Sequence, residues 1–387
     1  MLPEGNVLIT DKSGIITDIV PLPDAGDDVE FFKGIIGPGF INAHCHLELS
    51  HLKGTIPEKT GLVEFVFKII TKRHFAEAQI LAAIETAENN MLQSGIVAVG
   101  DICNNAVTIT QKLKQRLYYH NFIEVAGFVP AGAAMRFENA LETQQQFLSA
   151  INYQPNPERS RRATIAPHAP YSVSPQLFEL INNAASNNLI TIHNQETVAE
   201  EEFIKSKTGD FLNLYSKMGI DISFFKPSGK SSLQTWMPYL KNNQSLILVH
   251  NVTTTAADIE FAKLSAINHQ SSTLHFCVCP NANLYITNTL PDVKMLINNQ
   301  CNIVLGTDSL ASNHQLNVLE EIKTLHKNFP ELKLETMLQW ATINGAKALQ
   351  MDACLGSFEK GKQPGVVLIE GVEALQINDR SSSKKIL

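Results

Sequence analysis

Short apolar runs alternate with longer segments of helical spacing along most of the chain, and no other feature limits the fold as much. Several of the runs are apolar at consecutive positions, as expected of strands covered on both faces. Strands that alternate with helices are typical of βα units and a parallel sheet. Eight strands are predicted, at residues 34–46, 96–103, 117–128, 163–168, 189–193, 245–250, 273–279 and 302–308.

Helix-patterned segments lie between these strands. The Ser174-Pro175 pair is typical of a helix start, with an N-cap residue followed by proline at the first helical position. Eight strands alternating with helices predict an α/β fold, a (β/α)8 barrel of the TIM type over residues 37–351, and a doubly wound open sheet is the alternative. The clearest helices are predicted at residues 75–93, 175–188, 256–264, 315–326 and 334–351.

Both ends of the chain differ from its middle. Residues 5–20 alternate like a hairpin, and residues 365–369 form a further apolar strand. We therefore predict a small β-sandwich domain that the two termini build from residues 1–36 and 352–378. The tail at residues 379–387 is rich in Ser and Lys and is expected to be flexible.

Composition excludes several classes of protein. A net charge of −7 in 387 residues leaves no basic surface, so nucleic acid is not expected as a partner. Apolar runs fall well short of the roughly 20 residues that cross a bilayer, which argues against a membrane protein. The N-terminus has no basic region followed by an apolar one, so the cytoplasm is the expected compartment. Six scattered cysteines indicate no disulfide framework.

Polar side chains end several of the predicted strands. In a parallel barrel the carboxyl ends of the strands build the active site. His44 and His46 face the same side of the first strand because they are two residues apart. His193 ends the fifth strand and Asp308 ends the eighth. Three imidazoles and one carboxylate make a ligand set for one divalent ion, which predicts a metal centre at this rim.

Two further polar residues belong to the predicted rim. His250 ends the sixth strand, and Glu196 lies three residues beyond His193, where a carboxyl beside a metal-bound water can transfer protons. One histidine at a strand end is more often structural than a ligand, and residues 200–202, three glutamates, are most simply a solvated helix face. The four predicted ligands and His250 differ from such single residues, because together they fall at the same end of four separate strands.

The segment Gly-Pro-Gly-Phe-Ile-Asn-Ala-His-Cys-His at residues 37–46 resembles the first-strand motif of the amidohydrolase superfamily. The resemblance extends over nearly the whole chain, and further segments resemble the deaminase and chlorohydrolase branch. Within that branch the adenosylhomocysteine/methylthioadenosine deaminases and aminofutalosine deaminases are most similar, and they hydrolyse the exocyclic amine of an adenine ring. The further segments are residues 167–172, 193–196, 279–284 and 305–313.

The resemblance implies a role for each rim residue. Asp308 would be both ligand and general base, Glu196 would protonate a ring nitrogen, and His250 would orient the attacking hydroxide. His168, after the fourth strand, would contact the heterocycle. The metal would be zinc, or sometimes iron. The fourth strand, residues 163–167, has no Lys or Glu that could bridge two metals, so one ion per chain is expected.

Two features depart from the family pattern. Asn281 and Ala282 replace an Arg-Ser pair that is frequent after the seventh strand, which leaves the identity of the substrate open. The N-terminal β-domain also starts late, as though one strand were missing. Neither departure touches a predicted ligand.

The predicted activity is therefore hydrolytic deamination of a small heterocyclic substrate, most simply an adenine-type nucleoside. A guanine-type or pterin deaminase and a hydrolytic dechlorinase on the same mononuclear site are alternatives. A catalytically silent metal-binding scaffold is disfavoured because Glu196 and Asp308 are both present. By analogy with other barrels of this type, a homodimer is an expectation.

Overall fold

The computed structural model describes residues 1–152, 162–268 and 273–387, and its N-terminal segment contains three strands. β1 (Asn6–Thr10) and β2 (Ile16–Pro21) pair as the predicted antiparallel hairpin. β3 (Ile35–Pro38) belongs to a different sheet, which the C-terminal strands complete.

Eight parallel strands follow, in two sheets of four. Every residue of the first strand of each sheet is buried, as expected of strands covered on both faces. In spatial order, the first sheet contains β4 (Phe40–Cys45), β5 (Ile96–Cys103), β6 (Tyr118–Val125) and β7 (Arg162–Pro167). In chain order, the second contains β8 (Leu189–Asn194), β9 (Ser245–His250), β10 (Leu274–Val278) and β11 (Asn302–Leu305).

The outer strands of the two sheets approach each other on both sides. Beyond the end of β11, Asp308 forms a parallel bridge with Cys45 of β4, and its backbone N–H donates to His44 O at 3.1 Å. On the other side, the Thr164 hydroxyl of β7 donates to Leu189 O of β8 at 2.8 Å. The predicted parallel strands are thus present in an α/β arrangement.

Helices connect the strands, and none in the described ranges is long and apolar enough to cross a membrane. The predicted N-cap is confirmed, since the Ser174 hydroxyl accepts from Leu177 N at 3.3 Å. The helices are α1 (Leu62–Lys72), α2 (Glu77–Gln93), α3 (Ile109–Lys112), α4 (Ala133–Asn152), α5 (Pro175–Ala184), α6 (Val198–Ser206), α7 (Phe211–Lys217), α8 (Ser232–Trp236), α9 (Ala256–Asn268), α10 (Pro280–Thr287), α11 (Val293–Asn298), α12 (Val318–Asn328), α13 (Leu334–Gln339) and α14 (Gly345–Ala348).

Two predicted helices differ from the observed ones. The segment at 315–326 becomes helical only from Val318, because the Asn317 side chain accepts from Leu319 N and caps the helix there. The segment at 334–351 is interrupted by a π-helical turn, Trp340–Asn344, before α14. Gly345, the first residue of α14, packs so closely on Ile41 of β4 that a Cβ there would lie 2.8 Å from the Cβ of Ile41.

The C-terminal tail, which was predicted to be flexible, contains a strand. β12 (Val366–Glu370) pairs antiparallel with β3 on one side and with β13 (Ser382–Lys385) on the other. The polar side chains of β13 suggested a solvated tail, but its backbone completes the edge of this sheet. The terminal sheet also extends to Pro38, past the predicted boundary at residue 36. At Gly39, the next residue, a side chain would overlap Val97.

Candidate metal centre and active site

Four side chains that could hold one metal ion meet at the carboxyl ends of the parallel strands. Ligand atoms of His44, His46, His193 and Asp308 all lie within 4.8 Å of one another. His46 Nε2 is 3.3 Å from His193 Nε2, and Asp308 Oδ1 is 3.4 Å from His46 Nε2. β4 supplies the first two residues, β8 the third and the loop after β11 the fourth. The structure therefore brings the four predicted ligands together.

The geometry and the chemistry of this set fit a zinc ion. Donors bonded at 2.0–2.1 Å to a tetrahedral ion lie about 3.3 Å apart, close to the distances found here. Both ring nitrogens of His44 are buried without a hydrogen-bond partner among the described residues. Burial lowers the pKa of His46 well below its usual value and that of His193 to about 4. These imidazoles are therefore neutral at pH 7, which is the form that binds metals.

Hydrogen bonds from neighbouring groups orient two of the ligands. The Ser312 hydroxyl donates to Asp308 Oδ2 at 2.7 Å, and the carbonyl of His168 accepts from His193 Nδ1 at 2.8 Å. The second bond leaves His193 Nε2 free for a metal. Such partners fix the tautomer and the direction of a ligand and raise its affinity for the ion.

His250 and Glu196 lie beside the four ligands and contact each other. His250 Nε2 is 3.6 Å from Glu196 Oε1, and the Asn283 amide donates to His250 Nδ1 at 3.1 Å. Because Nδ1 accepts this bond, the neutral ring carries its proton on Nε2, which faces the site. Burial lowers the pKa of His250 to about 3, so the ring is neutral at pH 7. His250 can therefore donate one hydrogen bond into the site.

Glu196 has the environment of a general acid. Burial, followed by the charges of Asp308 and Glu200, raises the pKa of Glu196 well above its usual value. A carboxyl of raised pKa holds a proton near neutral pH and can give it to a substrate.

His168 follows β7 and lies at the more open side of the site. Its ring centroid is 4.9 Å from that of His193 and 5.6 Å from that of Tyr171. Its Nδ1 is 2.6 Å from the Ser172 hydroxyl. Burial lowers the pKa of His168 to about 4, so this ring is also neutral at pH 7.

The interpretation of residues 200–202 as a solvated helix face is wrong for Glu200, which is fully buried. Its carboxylate accepts from the backbone N–H groups of Gln195 and Glu196, both at 2.9 Å. It therefore fixes the loop that carries the candidate acid. The signal was present in the sequence, since Glu200, Phe203 and Ile204 have the spacing of one helix face and all three are buried.

The sequence analysis assigned no role in the site to three further residues. Asn283 and Glu124 contact His250 and His193 across distant segments, whereas Ser312 bonds Asp308 only four residues away. Asn281, at the departure from the family pattern, bonds Glu321 through its backbone N–H and its amide at 2.8 and 3.0 Å. Its side chain thus supports the loop after β10.

Comparison with known proteins identifies the family of the chain and several similar enzymes. The amidohydrolase family model matches residues 35–386. The 5′-deoxyadenosine deaminase of Methanocaldococcus jannaschii is 28% identical over 350 residues, which cover 86% of this chain and 74% of that protein. The 5-methylthioadenosine/S-adenosylhomocysteine deaminase of Thermococcus sibiricus is 27% identical over 370 residues, which cover 90% of this chain and 77% of that protein.

Solved structures have the same fold. The aminofutalosine deaminase of Helicobacter pylori, in complex with methylthio-coformycin, matches with a TM-score of 0.81 and 22% identity over 97% of this chain and 89% of that one. A zinc-bound adenosine deaminase from Xanthomonas campestris matches with a TM-score of 0.72 and 23% identity over 95% and 80%. Because the family match spans residues 35–386 and includes every candidate ligand, the chain belongs to the amidohydrolase family.

Proposed function

We propose that this protein is a zinc-dependent hydrolase that removes the exocyclic amine of an adenine-type nucleoside. The observation that carries the proposal is the placement of Glu196 and His250 beside the His44, His46, His193 and Asp308 set. Curated relatives that match most of the chain are deaminases of 5′-deoxyadenosine and of 5-methylthioadenosine/S-adenosylhomocysteine. The site also offers an acid and a base, and hydrolysis of an amine needs both.

The ligand set can hold one divalent ion, which supplies a water whose pKa is lowered to about 7. Asp308 can act as the base. Ser312 holds its Oδ2, and its Oδ1 faces His44 and His46 at the centre of the site. We assign to this carboxylate the proton that the attacking water loses. His250 donates from Nε2 and orients the attacking oxygen.

Glu196 supplies the proton on the substrate side. We infer that it protonates a ring nitrogen next to the amine-bearing carbon as oxygen adds to that carbon. Asp308 then passes the water's proton to the amino group, so that ammonia leaves with the electrons of the carbon–nitrogen bond. The hydroxyl proton returns to Glu196 as the ring carbonyl forms. One water is consumed and one ammonia is released. His168, on the open side of the site, is assigned to contact the heterocycle.

We also propose that the two parallel sheets close into one eight-stranded barrel. The contacts of β4 with the segment after β11, and of β7 with β8, support closure. The terminal strands would form a separate small β-domain. A cytoplasmic location and a homodimer remain predictions, which rest on the sequence and on analogy.

Ammonia release tests the activity. Zinc-loaded protein is expected to deaminate at least one of adenosine, 5′-deoxyadenosine, methylthioadenosine and S-adenosylhomocysteine. Glu196→Gln should lower kcat by about 10²-fold to 10⁴-fold while one zinc per chain is retained. Glu202→Gln, at an exposed position of α6, the helix that follows Glu196, is the matched control and should keep full activity. Unchanged turnover in Glu196→Gln, or no ammonia from any of these nucleosides, would overturn the proposal.

Metal content tests the ligand set independently. His193→Ala removes one of four ligands and should reduce zinc well below one per chain after gel filtration, measured by elemental analysis. Retention of a full equivalent of zinc in this variant would count against the site.

A further inference from the structure

A carboxyl group beside the metal centre has no part in the chemistry described so far. Glu124 is near the end of β6, and its Oε2 accepts from the Asn104 amide at 2.8 Å. Its Oε1 is 3.5 Å from His193 Nδ1, and an oxygen of Glu124 and ring nitrogens of His168 and His193 all lie within 4.8 Å of one another. The side chain is only 7% exposed.

Oε1 of Glu124 has no hydrogen-bond donor among the described residues. His193 Nδ1 already donates to the His168 carbonyl at 2.8 Å, and its 3.5 Å separation from Oε1 is too long for a second good bond. This oxygen is therefore free to accept a hydrogen bond from a ligand that enters the site.

The neighbouring nitrogen of His168 is also an acceptor. The Ser172 hydroxyl has one proton and donates it to the Ala169 carbonyl at 3.1 Å, so His168 Nδ1 must donate to Ser172. The remaining nitrogen, Nε2, therefore carries a lone pair in the neutral ring. Two acceptors lie side by side, and the described residues provide no donor between them.

A second metal ion does not fit these atoms. His193 Nδ1 is committed to a carbonyl, which leaves one carboxylate and one imidazole, whereas protein-bound zinc takes three or four protein ligands. Donor groups of an uncharged ligand can satisfy the two acceptors, because hydrogen bonds do not require the three or four protein ligands that zinc needs. Hydroxyl and N–H groups of a nucleoside can each donate one bond of about 2.7 to 2.9 Å.

We propose that Glu124 binds the 2′-hydroxyl of the substrate's ribose and so selects ribonucleosides over 2′-deoxyribonucleosides. The inference rests on the proposed function, in which His168 contacts the heterocycle. The 2′-hydroxyl is the first hydrogen-bond donor that a nucleoside carries beyond the bond from base to sugar. A carboxylate within 4.8 Å of a group that touches the base is placed to accept from it. A charged acceptor left unpaired by a missing hydroxyl strongly disfavours the deoxy substrate.

Two variants and three substrates test the inference. Wild-type, Glu124→Ala and Glu124→Gln proteins are assayed for kcat/KM on adenosine, 2′-deoxyadenosine and 3′-deoxyadenosine, with zinc content measured for each. We expect the wild type to prefer adenosine over 2′-deoxyadenosine about tenfold or more, and over 3′-deoxyadenosine much less. Glu124→Ala should bring the first ratio to within about threefold while zinc is retained, and Glu124→Gln should give an intermediate ratio because its amide oxygen still accepts.

Asn104→Ala provides a matched control, since it keeps the carboxylate but removes the amide that holds it, and should lower the ratio less than Glu124→Ala. An unchanged ratio in Glu124→Ala would overturn the inference. Loss of zinc in that variant would overturn it too, since Glu124 would then act through His193.

Failure of the proposed function is recognised separately. If the wild type deaminates none of the three nucleosides, calorimetric binding of inosine and 2′-deoxyinosine replaces the kinetics. Preference for inosine that Glu124→Ala abolishes would support the sugar contact even then, and absence of that preference would overturn it.

Discussion

At the scale of single residues, the site depends on side chains that hold other side chains. His250 has one hydrogen-bond partner on its Nδ1, the Asn283 amide at 3.1 Å, and this bond decides which nitrogen carries the proton. Asn283 is itself buried at the start of α10. A residue of α10 therefore determines whether the histidine at the end of β9 presents a donor or a lone pair to the substrate.

Replacement of Asn283 tests this control of the tautomer. Asn283→Asp places an acceptor at His250 Nδ1, which moves the proton to that nitrogen and leaves Nε2 as an acceptor. We expect kcat to fall about 10²-fold or more, and further than in Asn283→Ala, which imposes no tautomer. Zinc content should stay at one per chain in both, because Asn283 contacts none of the four ligands. Equal losses in the two variants would contradict the tautomer argument.

The sequence was sufficient for the ligands and insufficient for the residues that support them. His44, His46, His193 and Asp308 were predictable because each follows an apolar strand, and parallel strands bring their carboxyl ends to one rim. Asn283 bonds His250 across 33 residues, and no local pattern encodes such a bond, whereas Ser312 lies only four residues from Asp308 and its role was not recognised. Glu200 was misjudged because three consecutive glutamates suggested a solvated face, although its spacing from Phe203 indicated burial.

At the scale of elements, a buried ion pair joins α3 to β5. Lys112, the last residue of α3, is 3% exposed and its Nζ lies 2.5 Å from Asp101 Oδ2 in β5. Asp101 Oδ1 accepts from Leu47 N at 2.8 Å, directly after the ligand His46. Further contacts satisfy the ammonium, since it donates to Asn121 Oδ1 at 2.7 Å. The pair thus fixes where the loop after β4 starts.

Removal of one charge of this pair should destabilise the fold more than removal of both charges. Asp101→Ala leaves the Lys112 ammonium buried and unpaired, and should lower the free energy of unfolding by about 3 to 5 kcal/mol. The double variant Asp101→Leu with Lys112→Met removes both charges and should recover much of this loss. Urea titration of the zinc-loaded proteins measures both values. If the double variant were the less stable of the two, the pair would be net stabilising and the prediction wrong.

Element boundaries show where sequence patterns lose information. Strands of the parallel sheets were predicted well because burial on both faces makes them apolar at consecutive positions. β13 was missed because an edge strand pairs through its backbone, and Ser382–Lys385 has the polar composition of a tail. The need for glycine at position 39, between β3 and β4, comes from the close approach of Val97, which is distant in sequence.

At the scale of the whole molecule, buried histidines outside the metal centre make stability depend on pH. His120, in β6, is 1% exposed; its Nε2 lies 3.0 Å from the Thr164 hydroxyl, and its Nδ1 has no partner among the described residues. Burial lowers its pKa from 6.5 to about 3. His275 behaves similarly, with a pKa lowered to about 4 by burial. Neither residue belongs to the candidate ligand set.

The sign of the effect follows from proton binding. Between pH 6.5 and about 3 the unfolded chain protonates His120 and the folded chain does not, so stability falls as pH falls through this window. His120→Gln keeps an N–H donor for Thr164 but does not titrate. Both proteins contain the same metal centre, so its contribution to the pH dependence cancels in the difference between them. We expect the wild type to lose about 3 kcal/mol more than His120→Gln between pH 6.5 and 4 in urea titrations. Parallel pH curves for the two proteins would show that the folded chain protonates His120 as readily as the unfolded one.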